Sequence, residues 1–306
     1  MKKVVVIGSS NTDMAVRTKN IPSGGETVLG KGFLMTQGGK GANQAVAAAR
    51  AGAKVVFISK LGRDVFGDKA LAGFKKEKIV TKYVSRDKNA PSGIALIVID
   101  EHAENSIVVV SGANYRLLPS DIKKAEREIK NAACVVLQQE ISEQTAAYSV
   151  DLAYKYNVPV ILNPAPARKI SKTILKKIFL LNPNEKEAEF LTGIKISNIK
   201  SARKAAARIK ANGVKNVIIT LGKRGVFAAG NGFEMRAPAF KVKAVDTTAA
   251  GDAFTGGFAF ALAKKKEFCE CVRFGMAAAA LAVTKRGAQS SLPGKRQIAR
   301  FLSRQK

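Results

Sequence analysis

Short β-branched runs alternate with longer stretches of helical period along most of this chain, and that alternation leaves few folds open. VVVIG (4–8), VVFIS (55–59), CVVLQ (134–138), VPVIL (158–162), IFLLN (178–182) and VIITL (217–221) are apolar almost end to end. Strands of that kind are buried on both faces, as in a parallel sheet covered by helices. Helices are expected between them near 40–51, 64–77, 119–131, 143–156, 185–192 and 200–212. After the last strand come a β-rich piece, GVFAAG to GFEMRAP, two long helices near 250–265 and 267–284, and a short one at 294–304. Two stretches break the pattern: 14–36, and the hairpin-like SGIALIVID (92–100) with NSIVVV (105–110). They fit a small separate sheet, a candidate lid or contact surface, better than a parallel one.

With 306 residues, 46% hydrophobic and 25% charged, the chain can bury a large core. It has no apolar run of 18 residues, and MKKVVVIGSSNTDM turns polar too soon for a secretory leader. Three cysteines and one histidine cannot assemble a zinc spacing, so a reduced, cytoplasmic protein is expected. The net charge of +29 is uneven: residues 1–150 carry 22 basic and 14 acidic groups, residues 151–306 carry 30 and 9. Such a surplus attracts polyanions. Yet the lysines are scattered in twos and threes, and the chain has no tryptophan and five tyrosines, a poor supply for stacking bases. A solvated basic surface without specific nucleic-acid or membrane binding is the expectation.

Neither a Walker-type G-x-x-x-x-G-K-[ST] nor a G-x-G-x-x-G after a strand is present, so a nucleotide site here needs another design. GSSNTD (8–13) ends the first strand, where open α/β sheets bind ligands. Asn11 and Asp13 there offer an amide and a carboxylate to hydroxyl groups, or simply form an Asx turn. QGGKGANQAVAAARAGA (37–53) could be a flexible helix start, but three glycines (38, 39 and 41) beside Lys40 and Asn43 suit backbone close to a small polar ligand. QQE (138–140) and LNPNEKE (181–187) add acids and amides at two more strand ends. Asn184, Glu185 and Glu187 could hold hydrated Mg²⁺, or Asn184 or Glu185 could only start a helix. TLGKRG (220–225) reads as a hairpin turn or as a phosphate-binding turn. In VDTTAAGDAFTGGFA (245–259) the carboxylate of Asp252 follows a small-residue turn. It is either a helix cap or a base beside a waiting anion.

Taken in order, GSSNTD, GGKGANQA, NPAPA (163–167), NPNEKE, TLGKRG, DTTAAGDAF and TKRGAQSSLP (284–293) resemble the phosphofructokinase-B-type carbohydrate kinase family, in its ribokinase-like branch, over nearly the whole chain. The resemblance implies a three-layer α/β fold spanning 1–306, with a mostly parallel central sheet and a β-sheet lid from about 14–36 and 91–111. It implies ATP-dependent phosphorylation of the 5-hydroxyl of D-ribose, with 2-deoxyribose or nucleosides as alternative acceptors, and a homodimer through the lid. Asn11, Asp13, Gly39, Lys40, Gly41, Asn43 and Glu140 would hold the sugar. Asn184, Thr220, Leu221, Gly222, Lys223, Arg224, Gly225, Gly251 and Met276 would hold ATP. Asp252 would accept the proton beside an anion hole of Ala250 and Gly251 N–H groups. Asn184 and Glu187 would support Mg²⁺ through water, and Asp246, Thr248, Ala282, Lys285, Gly287 and Ser291 would surround K⁺. Two departures stand out. Ala249 replaces the first glycine of the family's Gly-Ala-Gly-Asp, a position expected to tolerate a methyl, and Met276 stands where relatives often carry a polar or aromatic residue.

Overall fold

The computed structural model describes residues 2–102 and 104–305. Its strands are β1 (Val4–Ile7), β2 (Asn11–Arg17), β3 (Gly32–Gly38), β4 (Val55–Gly62), β5 (Val80–Asp87), β6 (Gly93–Ile99), β7 (Asn105–Val110), β8 (Cys134–Leu137), β9 (Val160–Leu162), β10 (Leu180–Leu181), β11 (Asn216–Thr220), β12 (Val226–Gly230) and β13 (Phe233–Ala237). Its helices are α1 (Lys40–Ala51), α2 (Val65–Lys76), α3 (Pro119–Lys124), α4 (Glu126–Lys130), α5 (Glu143–Lys155), α6 (Lys172–Leu175), α7 (Glu185–Thr192), α8 (Ile199–Ala211), α9 (Ala250–Ala263), α10 (Phe268–Ala282) and α11 (Lys295–Ser303).

Nine strands form one sheet in the order β13-β12-β11-β10-β9-β8-β1-β4-β5. It is parallel from β5 to β11, and β12 and β13 are added antiparallel. Side chains of a strand alternate between its faces, and here both faces are apolar. Val4, Val6 and Phe57 pack under α1, α2, α9, α10 and α11, whereas Val5, Ile7 and Ile58 pack under α3 to α8. This is the three-layer arrangement that the alternation implied.

The sequence reading departs from the structure in three places. Val80–Asp87 forms edge strand β5, which the sequence reading left out because its polar, half-exposed pattern imitates a loop. The helix expected over 119–131 breaks at Ala125 into α3 and α4. Most consequentially, Asn11 and Asp13 do not trail β1 in a turn; they lie on β2 itself.

That strand belongs to a second sheet, β3-β2-β6-β7, in which β2 runs antiparallel to β3 but parallel to β6. The second sheet therefore starts at residue 11 rather than 14. Ala103, inside the expected range 91–111, lies outside the described residues, as do Met1 and Lys306 at the ends of 1–306. Among the described residues no helix is long and apolar enough to cross a membrane.

Candidate active site

Helices α1 and α9 run close together because Gly256 leaves them room. A Cβ there would lie 2.5 Å from Ala47 Cβ and 2.7 Å from the Ala48 nitrogen. One turn earlier on α9 stands Asp252, which this contact brings against the first turn of α1. Asn43 Nδ2 donates to Asp252 Oδ2 at 3.0 Å, and Gln44 Nε2 donates to Asp252 Oδ1 at 2.9 Å. The carboxylate makes no capping bond to its own helix, whose N-cap residue is Ala249. Burial pushes the Asp252 carboxyl up; Lys40 and the two amide donors pull it back.

The same end of α1 is also anchored by Glu140. Its Oε2 accepts from the Lys40 backbone N–H at 2.9 Å and from Ser9 Oγ at 2.5 Å. Burial lowers the affinity of the Lys40 ammonium for its proton, but Asp252, Glu140, Glu187 and Asp13 outweigh it and hold the pKa above the ordinary lysine value. Burial pushes Asp13 up to about 6, with Glu140 and Asp252 adding to it and Lys40 opposing. Four acids around one cation make a site strongly charged yet poor in water, in which electrostatic effects are large.

The structure thus brings Asp13, Lys40, Asn43, Glu140, Glu187 and Asp252 into one electrostatic neighbourhood, with Asn11 beside Asp13 on β2. Gly39 caps α1 with a φ of 85°, and Gly41 presses its backbone on the end of β1. Gly251 is the opposite case. A Cβ on it would meet nothing within 4 Å, so no packing in the protein asks for glycine there. Ala250 and Gly251 open α9, where first-turn N–H groups lack the usual helical acceptor and favour an anion, although the Ala250 N–H makes a bond of 3.2 Å to the Thr247 carbonyl.

Asn184 and Glu187 form a capping box at the start of α7: Asn184 Oδ1 accepts from the Glu187 N–H at 2.9 Å, and Glu187 Oε2 accepts from the Asn184 N–H at 2.8 Å. Helix start and site are therefore the same residues, since Glu187 also faces Lys40 and Asp252, with burial raising its pKa. Thr220 pairs with Asn184 in an isolated bridge, and the Leu221 N–H closes the Gly222–Arg224 turn on the Gly225 carbonyl at 2.8 Å. Lys223 is exposed. The Arg224 guanidinium is already committed to Glu185 Oε2 at 2.6 Å and to the Ser197 carbonyl. Met276 is buried among core side chains of α10.

Asp246 ties two loops. Its Oδ1 accepts from Thr248 N and Oγ1 at 2.9 and 2.7 Å, and its Oδ2 accepts from the Gly287 N–H at 2.8 Å. Burial opposes its ionisation, but these bonds hold its carboxyl below the usual range. Ala282 ends α10, Lys285 donates its N–H to the Ala282 carbonyl at 3.1 Å, and Ser291 is buried in the same loop.

Ala249 corrects the sequence reading. Its φ of 58° is left-handed, a conformation that costs a residue with a Cβ about 1 kcal/mol, so the position expected to tolerate a methyl is the one where glycine is favoured. Ala249→Gly should therefore raise the unfolding free energy by about 1 kcal/mol, read as a higher urea midpoint, with kcat unchanged. An unaltered midpoint would show that the neighbouring turn absorbs the strain.

Sequence reasoning gave no role to Gln44, Asn163 or Asn114, and took in Gln138 and Asn182 only as amides of the QQE and LNPNEKE stretches. Gln138 Nε2 donates to Gln44 Oε1 at 2.7 Å, and Gln44 Nε2 also reaches Asn163 Oδ1 at 3.2 Å. Asn163 Nδ2 donates to the Asn182 carbonyl, and Asn182 Nδ2 to Thr255 Oγ1 at 2.7 Å. The signal was adjacency alone: Gln44 and Gln138 lie one and two residues from Asn43 and Glu140.

A model of the pfkB family carbohydrate kinases matches residues 1–295. The chain belongs to that family. It is 43% identical over 301 residues to a ribokinase of Haemophilus influenzae, covering 98% of both chains. It is 37% identical to a deoxyribokinase of Salmonella typhi over the same length and the same shares. A solved Arabidopsis thaliana ribokinase, complexed with ribose and ATP, superposes with a TM-score of 0.92 at 34% identity and covers 99% of each chain. The likeness to that solved structure extends over both sheets.

Proposed function

We propose that this chain transfers the γ-phosphoryl group of ATP to the 5-hydroxyl of D-ribose. The observation that carries the reading is the juxtaposition of a buried carboxylate, Asp252, with the open first turn of α9 beside Gly251. Asp13, Asn11, Asn43, Gly39, Lys40 and Glu140 supply the polar wall that a sugar requires. Asp252 takes the proton of the attacking hydroxyl as the new O–P bond forms and the bond to the ADP oxygen breaks. The N–H groups of Ala250 and Gly251 receive the charge on the transferring phosphoryl oxygens. The turn from Thr220 to Gly225 and the Asn184 side receive ATP, Arg224 acting through its backbone because its side chain is engaged.

Asn184 and Glu187 present one carboxylate and one amide, already bonded to each other, which suits Mg²⁺ held through water rather than directly. That ion would neutralise phosphate charge. The Asp246 carboxylate with the carbonyls of Thr248, Ala282, Lys285 and Gly287, and Ser291, forms an all-oxygen set that suits K⁺ beside the first turn of α9. The second sheet acts as lid and as dimer surface in this reading: Phe33, Leu34, Leu96, Ile107 and Val108 are large apolar residues about half exposed or more. The basic surplus is a solvated surface, and the protein is cytoplasmic.

The similarity to a deoxyribokinase keeps 2-deoxyribose as the second reading. A carboxylate accepts from two adjacent hydroxyls, and losing one leaves Asp13 partly unpaired. Ribose should therefore lead 2-deoxyribose by about 5- to 150-fold in kcat/KM, with nucleosides last. Asp13→Ala should narrow that lead. Below about pH 6 the ribose kcat/KM should fall, because a protonated Asp13 no longer accepts from both hydroxyls. A coupled ADP-release assay over a panel of sugars and nucleosides decides it. Preference for deoxyribose or adenosine would leave the kinase and remove ribose.

A further inference from the structure

Asn114 lies in the short 3-10 turn Gly112–Arg116 after β7 and is 2% exposed. Its side chain joins two places on the chain. The Ser10 backbone N–H donates to Asn114 Oδ1 at 2.9 Å, and Asn114 Nδ2 donates to Asn11 Oδ1 at 2.7 Å. The polarity of this relay is forced. A peptide N–H can only donate, so the Asn114 atom facing Ser10 is its carbonyl oxygen. Its other end is then the NH₂ group, which can bond only to the oxygen of Asn11. Asn11 is left with its own NH₂ on the side away from Asn114.

The bond between the two amides is also closed off. A Cβ at Gly93 would collide with both Asn11 Oδ1 and Asn114 Nδ2, so the β6 backbone lies directly over it. Asn11 itself is 6% exposed. Turning over either amide would oppose two like groups in a buried place, at the cost of an unmade hydrogen bond.

We infer that Asn114 is a positioning and specificity-determining residue for the sugar. It fixes Asn11 so that the sugar meets a donor there, and Asp13, two residues along the same face of β2, is the acceptor. A hydroxyl group satisfies both, since it accepts and donates. A methylene satisfies neither, and a phosphate ester, which only accepts, is repelled by Asp13. The site is thereby set for a free, hydroxyl-bearing sugar face. This inference rests on the ribose reading above.

Asn114→Asp tests it. The variant keeps an acceptor for the Ser10 N–H but replaces the donor with a second oxygen, so Asn11 turns its NH₂ inward and shows the sugar its carbonyl. The KM for ribose should rise about ten-fold or more, while the KM for ATP and the melting temperature stay near those of the unaltered enzyme. A merely structural Asn114 would move the melting temperature and both KM values together, and an unchanged ribose KM in the folded variant would equally overturn the inference. Should that variant not fold, the unaltered, ¹⁵N-labelled enzyme answers instead. Its Asn11 side-chain NH₂ signals, assigned by their loss in Asn11→Asp, should shift as ribose is added without ATP. Signals that stay still while calorimetry records ribose binding overturn the role of Asn114. No ribose binding at all overturns the substrate reading, and this inference with it.

Discussion

Asp252→Asn is expected to lower kcat by about 10²-fold or more, the usual share of a positioned general base. The amide is nearly isosteric and cannot take the proton of the attacking hydroxyl. Its effect on stability is the sum of two opposed changes. Burial disfavours the ionised Asp252, so neutralising it relieves a cost. Asn43 Nδ2 and Gln44 Nε2 both donate to this carboxylate, so one of them would then face another NH₂ group. The melting temperature and the KM for ATP should therefore move little while turnover collapses. Stopped-flow or coupled measurement of kcat on the purified variant checks it. Turnover within a few-fold of the unaltered enzyme would leave Asp252 only the favourable charge of an acid in a first turn.

Gly41→Ala should be the most damaging change in the first turn of α1. The added methyl would lie 2.5 Å from the Ser9 nitrogen and 2.6 Å from the Gly8 carbonyl carbon, and backbone cannot step aside as a side chain can. The same junction carries the Ala42 N–H to Ser9 carbonyl bond at 2.8 Å and the Gly41 N–H to Ser9 Oγ bond at 3.3 Å. Relief has to come from moving α1 off β1, which draws Asn43 and Gln44 from Asp252 and Lys40 from Glu140. Overpacking of this kind costs about 1–3 kcal/mol, and a shift of about 1 Å in a catalytic group can cost about 10²-fold in rate. Thermal unfolding and kcat should fall together. Gly251→Ala is the informative contrast, because its methyl meets no protein atom. That variant should fold at least as well, alanine being the better helix former by about 1 kcal/mol, yet lose turnover because the methyl occupies the phosphoryl approach. If Gly251→Ala turned over normally, the open first turn of α9 would not be where the phosphoryl group passes.

The α/β architecture was legible because it depends on local patterning. Apolar runs such as VVVI and CVVL are buried on both faces. β5 was not legible, since an edge strand with one open side mixes Thr81, Lys82, Ser85 and Arg86 with apolar residues and loses the signal. The candidate site was legible wherever a glycine or an acid stood out of its surroundings, as at Gly39 to Gly41 and Asp252. The partners of the buried amides were not legible, because a buried glutamine or asparagine has no periodicity of its own. Gln44 sits inside an alanine-rich helix and Asn114 in a turn, and what each does depends on partners 208 and 103 residues away.

By itself, then, the sequence determined the layers, the order of the elements and the residue types brought to one edge of the sheet. It did so because side-chain burial and turn chemistry act over a few residues. Only the tertiary structure decided that Asp252 faces Asn43 and Gln44 instead of capping its helix, that Ala249 takes a left-handed backbone, and that Asn11 shows its NH₂ group outward. Those outcomes turn on close approach between distant segments, at Gly256 against Ala47 and at Gly93 over the two amides, and on hydrogen bonds whose direction is set by a partner far along the chain.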